Sequence, residues 1–310
     1  MTTLGELNFD VATALSLGAR ERQEDTVVAD FPLGAPMGFA VLSDGMGGHA
    51  CGDVASGIVA TELFSELKLL SGAPEQMERD IGAVLQDAVA AANTCIRLYE
   101  DQAPNTEGMG ATLVAPVIFG ARLYWVSVGD SPLFLMRAGR LYRLNEDHSY
   151  AAQIDVMQAR GLIDLDAAQN HPDRSALVSV LAGGEIAKVD CRAEPMTLKD
   201  GDIVLAASDG VHTLTDDQIV SVLADNEEKT GRQIGESLVA AVLAAACPDQ
   251  DNLSLCIIKV TQRDAGENTR PAPPSSQSGP RDTGQVVQID RRADHRTVRT
   301  IVSLTRKVGK

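Results

Sequence analysis

Four aspartates in this chain occupy the same kind of position. Asp44 in VLSDGMGG, Asp130 in VSVGDSP, Asp209 in LAASDGV and Asp251 in PDQDNLSL each end or follow an apolar run, and three of them precede Gly or Asn. A single Asp-Gly is a hairpin turn far more often than a metal ligand. The repetition changes that reading. VLSDG and LAASDG both read as buried strands delivering an Asp at the strand's C-terminal end, and neighbouring strands would set such carboxylates along one rim. Crowded carboxylates repel unless a cation neutralises them. Oxygen donors in a chain with only five histidines select Mg²⁺ or Mn²⁺ over zinc. Gly45 can then present its backbone carbonyl as a ligand, and Gly47-Gly48 let the chain turn tightly and come close to ions and substrate. Glu24-Asp25 adds two acidic groups at the start of another strand. Arg20, a few residues earlier, has the planar fork that binds two phosphate oxygens at once.

The elements that must position these residues follow from hydrophobic period. Residues 9–17 alternate as a strand does, and 38–43 form a short buried strand. Helical spacing runs over 54–70 and 76–99. Short strands separated by turn residues follow at 111–119, 122–128, 132–137 and 140–144. Residues 147–184 read as a more polar helical segment. Strands at 189–197 and 202–207, helices at 215–226 and 231–246, and a strand at 253–260 complete the pattern. Strands and helices in blocks imply an α+β fold of antiparallel sheets with helices packed outside.

The formal charge of −16 argues against nucleic acid as the main partner. The five cysteines lack CxxC spacing, and none is followed six positions later by Arg. That removes zinc clusters and thiol-dependent phosphoryl chemistry, and leaves buried, inert thiols. With no basic-then-apolar leader and no 18-residue apolar run, a soluble, cytoplasmic protein without a transmembrane segment is expected. Composition divides the chain into a body at 1–263, a Pro/Ser/Gly-rich disordered linker at 264–284, and a basic C-terminal tail at 285–310. Nine Lys and Arg against five Asp and Glu follow residue 263, leaving 18 and 38 for the body, a net of −20. The tail is read either as folding back on the acidic body, or binding another acidic surface, or as a solvated extension.

Taken in order, Arg20-x-x-Gln-Glu-Asp25, Asp44-Gly-Met-Gly-Gly48, Gly110-Ala-Thr-Leu113, Gly129-Asp-Ser131, Ser208-Asp-Gly210 and Asp251-Asn252 make the chain resemble the metal-dependent protein phosphatases of the PP2C (PPM) family, in their compact bacterial form. The resemblance covers most of residues 8–260. It implies a four-layer αββα sandwich of two antiparallel β-sheets flanked by helices. It also implies a protein serine/threonine phosphatase that hydrolyses phosphoserine and phosphothreonine through a metal-activated hydroxide, without a covalent intermediate. By position, Asp44 would bridge two Mn²⁺ or Mg²⁺ ions, with the Gly45 carbonyl on one and Asp209 and Asp251 on the other. Asp130 would hold a third, weaker ion. Glu24 and Asp25 would act through water or from behind the ligands, Asn252 would orient Asp251, and Arg20 would bind phosphate. Residues 147–184 match the family's mobile flap. The implied partners are phosphorylated proteins, including a Ser/Thr kinase and its substrates, and the implied state is a monomer.

The chain departs from the family pattern in places. Gln23 stands for the usual Asn, Ala111 for Thr, and Pro132 for an Arg, which removes a positive group near the third-metal site. SALVSVLAGG lacks the more usual Thr-Arg-Ala-Leu-Gly wording. Met46 stands where animal members carry a proton-donating His, leaving His49 or a metal-bound water for that task. Two other readings stand beside the enzyme: a catalytically weak pseudophosphatase that binds phosphoproteins as a scaffold, and a regulatory domain whose basic tail recruits a kinase or membrane surface.

Overall fold

The computed structural model describes residues 7–47, 51–103, 106, 108–174, 176–262 and 300–303. The expectations for Gly48 and His49, for the linker and for most of the basic tail lie outside these residues. Two antiparallel sheets stack face to face. The first has the order β12(Thr300–Ser303), β1(Leu7–Ser16), β11(Leu253–Gln262), β10(Ile203–Ala207), β7(Leu133–Arg137), β8(Arg140–Arg143). The second runs β2(Asp25–Asp30), β3(Met37–Met46), β5(Leu113–Phe119), β6(Arg122–Val128), β9(Asp190–Thr197), with the two-residue β4(Gly110–Ala111) also on β3. Helices α1(Gly52–Leu70) and α3(Ile81–Glu100) cover the second sheet, and α6(Asp216–Asp225) and α7(Gly231–Ala244) cover the first. The expected four-layer sandwich is the observed one.

Strand period explains the layering. In β3, Phe39 and Val41 join the core under α1 and α3, while Ala40 and Leu42 join the core between the sheets. In β11, Leu255 and Ile257 face α7 while Cys256, Ile258 and Val260 face the other sheet. Strands buried on both faces must be apolar throughout, which is why these segments read as unbroken apolar runs. Each fully buried Leu or Ile contributes about 1.5–3 kcal/mol relative to exposure. The β7–β8 turn takes positive φ at both central residues, Ala138 (50°) and Gly139 (74°), the hand of turn that matches strand twist. Thr215 and Thr230 open α6 and α7 with reciprocal capping boxes to Gln218 and Gln233.

Three local expectations are revised. The helix expected over 76–99 is two helices, α2(Pro74–Arg79) and α3, parted at Asp80 with φ −106° and ψ 15°. Aspartate is a weak helix former that favours such ends. The strand expected over 111–119 breaks at Thr112, whose backbone N–H donates to the Asp44 carbonyl at 2.8 Å. Among the described residues, the segment 147–184 holds two helices, α4(Ala151–Ala159) and α5(Leu165–Gln169). Gly161, at φ 71°, stops the first helix, and the segment is anchored by bridges Ser149↔Leu177 and Ala111↔Leu181.

Candidate metal centre

Antiparallel order brings the acidic residues together. The C-terminal ends of β1, β3, β6 and β10 and the N-terminal ends of β2 and β11 share one rim, and each carries a motif residue. Asp25 and Asp44 lie directly opposite each other in the β2–β3 ladder. Asp130 follows β6, Asp209 follows β10, and Asp251 precedes β11. The Ser208 hydroxyl donates to Asp25 Oδ2 at 2.7 Å, joining the two sheets at the rim.

Burial and mutual repulsion set the charge state. Burial first, then the charges of Asp25, Asp209, Asp130 and Asp251, pushes the Asp44 carboxyl well above the usual range. Asp25 is raised to about 7, chiefly by burial and against the Ser208 hydrogen bond. Asp130 is also raised to about 7 by burial, with Asp209 and Asp147 adding and the Arg143 charge opposing. Burial, then the Asp251 charge, raises Asp209. For Glu24 the causes are burial, then Asp53, with Arg20 opposing. Two buried oxygens, Asp25 Oδ1 and Asp209 Oδ1, have no hydrogen-bond partner.

Such oxygens call for a cation or a proton. An all-oxygen donor set of this kind fits Mg²⁺ or Mn²⁺. Among the described residues, however, no three acidic, His or Cys side chains converge on one metal-sized point. Asp251 Oδ2 is turned to Arg20 Nη2 at 2.6 Å. Side chains around a metal site close in on the ion they bind, so the orphaned oxygens and shared repulsion mark a site that is drawn together by its cation.

Backbone packing explains the glycines. A Cβ at Gly45 would stand 1.9 Å from the Gly52 carbonyl oxygen at the start of α1, and one at Gly210 would stand 2.0 Å from the Asn252 carbonyl oxygen. Neither position has room for a side chain.

The turn carrying Arg20 is held by several groups. Ala19 N donates to Gln250 O at 2.8 Å. Asn252 Nδ2 donates to the carbonyls of Leu17 and Arg22, and its Oδ1 accepts from Glu24 N at 2.8 Å. Asn252 meets Asp251 through its backbone N–H, which donates to Asp251 Oδ1 at 2.7 Å, while its side chain grips the 17–24 turn. Gln23 keeps its amide in use, donating to Ser16 O and accepting from Asp25 N. Arg20 lies at the mouth with its side chain 54% exposed.

Several residues at this site, some of them inside the quoted motifs, were given no role by the sequence. Thr112 Oγ1 accepts from Asp44 N and bonds Ser131 Oγ at 2.7 Å, and Ser43 Oγ donates to Thr112 O. The signal for the serines was the repeated Ser-Asp-Gly: Ser43 and Ser208 are both fully buried. Arg143 supplies the cation beside Asp130 that Pro132 seemed to remove, its Nη2 donating to Asp130 O at 2.6 Å.

A family model described as Protein phosphatase 2C matches residues 21–245. The chain belongs to the protein phosphatase 2C family. Serine/threonine protein phosphatase PstP of Mycobacterium tuberculosis is 32% identical over 265 residues, covering 84% of this chain and 46% of that protein. The chain thus spans about half the length of this curated relative. The crystal structure of the M. tuberculosis serine/threonine phosphatase PstP/Ppp is 30% identical with a TM-score of 0.64, covering 82% of this chain and 98% of that one. The PstP catalytic domain in complex with two manganese ions is 28% identical with a TM-score of 0.62, covering 83% and 99%.

Proposed function

We propose that this protein phosphatase 2C chain is a metal-dependent protein serine/threonine phosphatase. The observation that carries the reading is the convergence of Asp25, Asp44, Asp130, Asp209 and Asp251 on one rim with Arg20 at its mouth. Asp44, the Gly45 carbonyl, Asp209 and Asp251 would hold two divalent ions, and Asp130 a third. When bound, the ions would supply a water ionised near neutral pH and positive charge for the phosphoryl oxygens. The solved PstP domain with two manganese ions supports that composition.

The chain's own residues prepare the rest. Arg20 forks onto the phosphate, exchanging its bond to Asp251 for phosphate oxygens. Glu24 and Asp25 would hold water at the rim or act from behind the ligands. Asn252 fixes the turn that aims Arg20, so the phosphoryl group is oriented before reaction. The substrates would be phosphoproteins, with a Ser/Thr kinase among the partners, acting in the cytoplasm as a monomer. No described helix is long and apolar enough to cross a membrane.

The test is phosphate release from a phosphothreonine peptide titrated with Mn²⁺, wild type beside Asp209→Asn. Metal-dependent release, reduced roughly a hundredfold or more in the folded variant, is the expected result. A folded wild-type protein that releases no phosphate at any Mn²⁺ concentration would sink the reading.

A further inference from the structure

The first residues of the flap are bound to the Asp130 loop through a side chain that no motif contains. Arg143 ends β8, at the outer edge of its sheet. Its guanidinium reaches back to the rim and forks. Nη2 donates to the Asp130 carbonyl at 2.6 Å, and Nη1 donates to Asp147 Oδ2 at 2.9 Å. The other Asp147 oxygen accepts from Ser149 N at 2.9 Å, so Asp147 holds the flap backbone on one side and Arg143 on the other.

A second set of bonds runs beside the first. His148, its side chain wholly buried, accepts from Gly129 N at its Nδ1, and its own N–H donates to Gly129 O at 3.1 Å. Asn145 accepts from Leu133 N and donates to Ser131 O. Ser131 Oγ is bonded to Thr112 Oγ1, which accepts from Asp44 N. On the far side, Val178 N donates to His148 O and Tyr150 N donates to Ala176 O, tying the flap's returning strand to its start. Hydrogen bonds and the short 129–131 backbone therefore link Asp44 to the start of the flap, and the start of the flap to its return. Arg143 runs a second, charged link beside them, and a planar fork donating in two fixed directions is what spans the gap between loop and flap.

We infer that Arg143 is a positioning residue that couples the flap to the Asp130 loop: by bridging the Asp130 carbonyl and the Asp147 carboxylate it sets where the flap stands over the metal centre, and so how a phosphorylated protein, as distinct from a small phosphate ester, is admitted. The inference rests on the phosphatase reading for its substrate consequence, and on geometry alone for the coupling. A small ester needs only the rim. A protein must also fit against the flap, so loosening the bridge acts on the large substrate.

The experiment compares the full chain with Arg143→Ala and Arg143→Lys. Turnover of phosphorylated casein and of p-nitrophenyl phosphate is measured at saturating Mn²⁺, and amide hydrogen exchange is followed over residues 147–150 and 176–178 in the metal-free proteins. In Arg143→Ala, kcat/KM for phosphocasein falls about tenfold relative to that for the ester, the worth of one charge-assisted hydrogen bond. Exchange at both ends of the flap accelerates. Arg143→Lys keeps the charge but cannot make both bonds, and falls between wild type and Ala in both readouts. Unchanged flap exchange in Arg143→Ala, or an equal fall for both substrates, overturns the inference. Should wild type hydrolyse neither substrate, the phosphatase reading fails, while the exchange comparison still decides the coupling.

Discussion

Asp25 is 5% exposed, gives one oxygen to the Ser208 hydroxyl and leaves the other without a partner. Its carboxyl, raised from 3.8 to about 7 mainly by burial, has consequences for the metal-free chain. In the unfolded chain it ionises near its ordinary value, whereas in the folded chain it keeps its proton until about pH 7. The unfolded state therefore binds fewer protons across that interval, and folding stability falls as pH rises from about 4 through 7. At about 1.4 kcal/mol per pKa unit, a shift of that size bounds Asp25's share of the fall at roughly 4 kcal/mol. Thermal unfolding in EDTA should show a Tm that declines over this range in wild type and declines less in Asp25→Asn. Added Mn²⁺ should restore wild type more than the variant. A decline equally steep in the variant would place the repulsion on other residues. The aspartates themselves were legible in the sequence, because an Asp closing a buried apolar run is a local pattern. Which hydroxyl each one meets was not: Ser208 reaches Asp25 and Thr112 reaches the Asp44 backbone only once sheet stacking and register are set. Arg143 carried no signal at all, since its meaning depends on a hairpin folding β8 back beside the loop after β6.

At the scale of elements, the rim depends on backbone approaches that admit no Cβ. Helix α1 starts against the end of β3, where a Cβ on Gly45 would come within 1.9 Å of one backbone atom of Gly52 and 2.4 Å of another. Neither neighbour is the movable end of a side chain, so Gly45→Ala must displace the start of α1 or the end of β3. A cost of roughly 2–4 kcal/mol is expected, together with weaker Mn²⁺ binding because Asp44 is the preceding residue. Gly57, in the same helix, faces open space within 4 Å. Gly57→Ala should gain about 0.5–1 kcal/mol, since alanine loses less backbone entropy in a helix interior. Urea unfolding of the two variants therefore tests the assignment by opposite signs; a mild effect at Gly45 would show that the two elements can part cheaply. Strand and helix positions were readable here because both-face burial leaves long apolar runs. The flap was harder. Its polar composition suggested a helical segment, whereas Gly161 and the bridges at Leu177 and Leu181 leave two short helices among the described residues. Those bridges are long-range contacts that no local period encodes.

Across the whole molecule, one strand joins the body from residues 300–303. Residues Thr300–Ser303 pair antiparallel with β1, Thr300 opposite Leu15 and Ser303 opposite Ala12. β11 occupies the other side of β1, so β12 covers what would be an open sheet edge, a surface that otherwise invites pairing with another chain. Both β11 and β12 run antiparallel to β1, so the chain must return from the far end of β11 to the rim before β12 begins. That distance is about 30 Å at about 3.3 Å per strand residue, well within the reach of the 37 residues between Gln262 and Thr300. From the sequence, a solvated tail stood at least level with folding back or binding another acidic surface, because net charge says nothing about strand pairing. Proline at two adjacent strand positions removes any backbone donor facing β1, so Ile301→Pro with Val302→Pro should abolish β12 while leaving length and charge unchanged. Amide exchange at Ala12–Leu15 should then accelerate on the edge-facing N–H groups, and the variant should self-associate more at high concentration. Because β1 leads into the turn that carries Arg20, KM for a phosphothreonine peptide should rise with little change in kcat. If exchange over Ala12–Leu15 matches wild type, β12 does not protect that edge in solution.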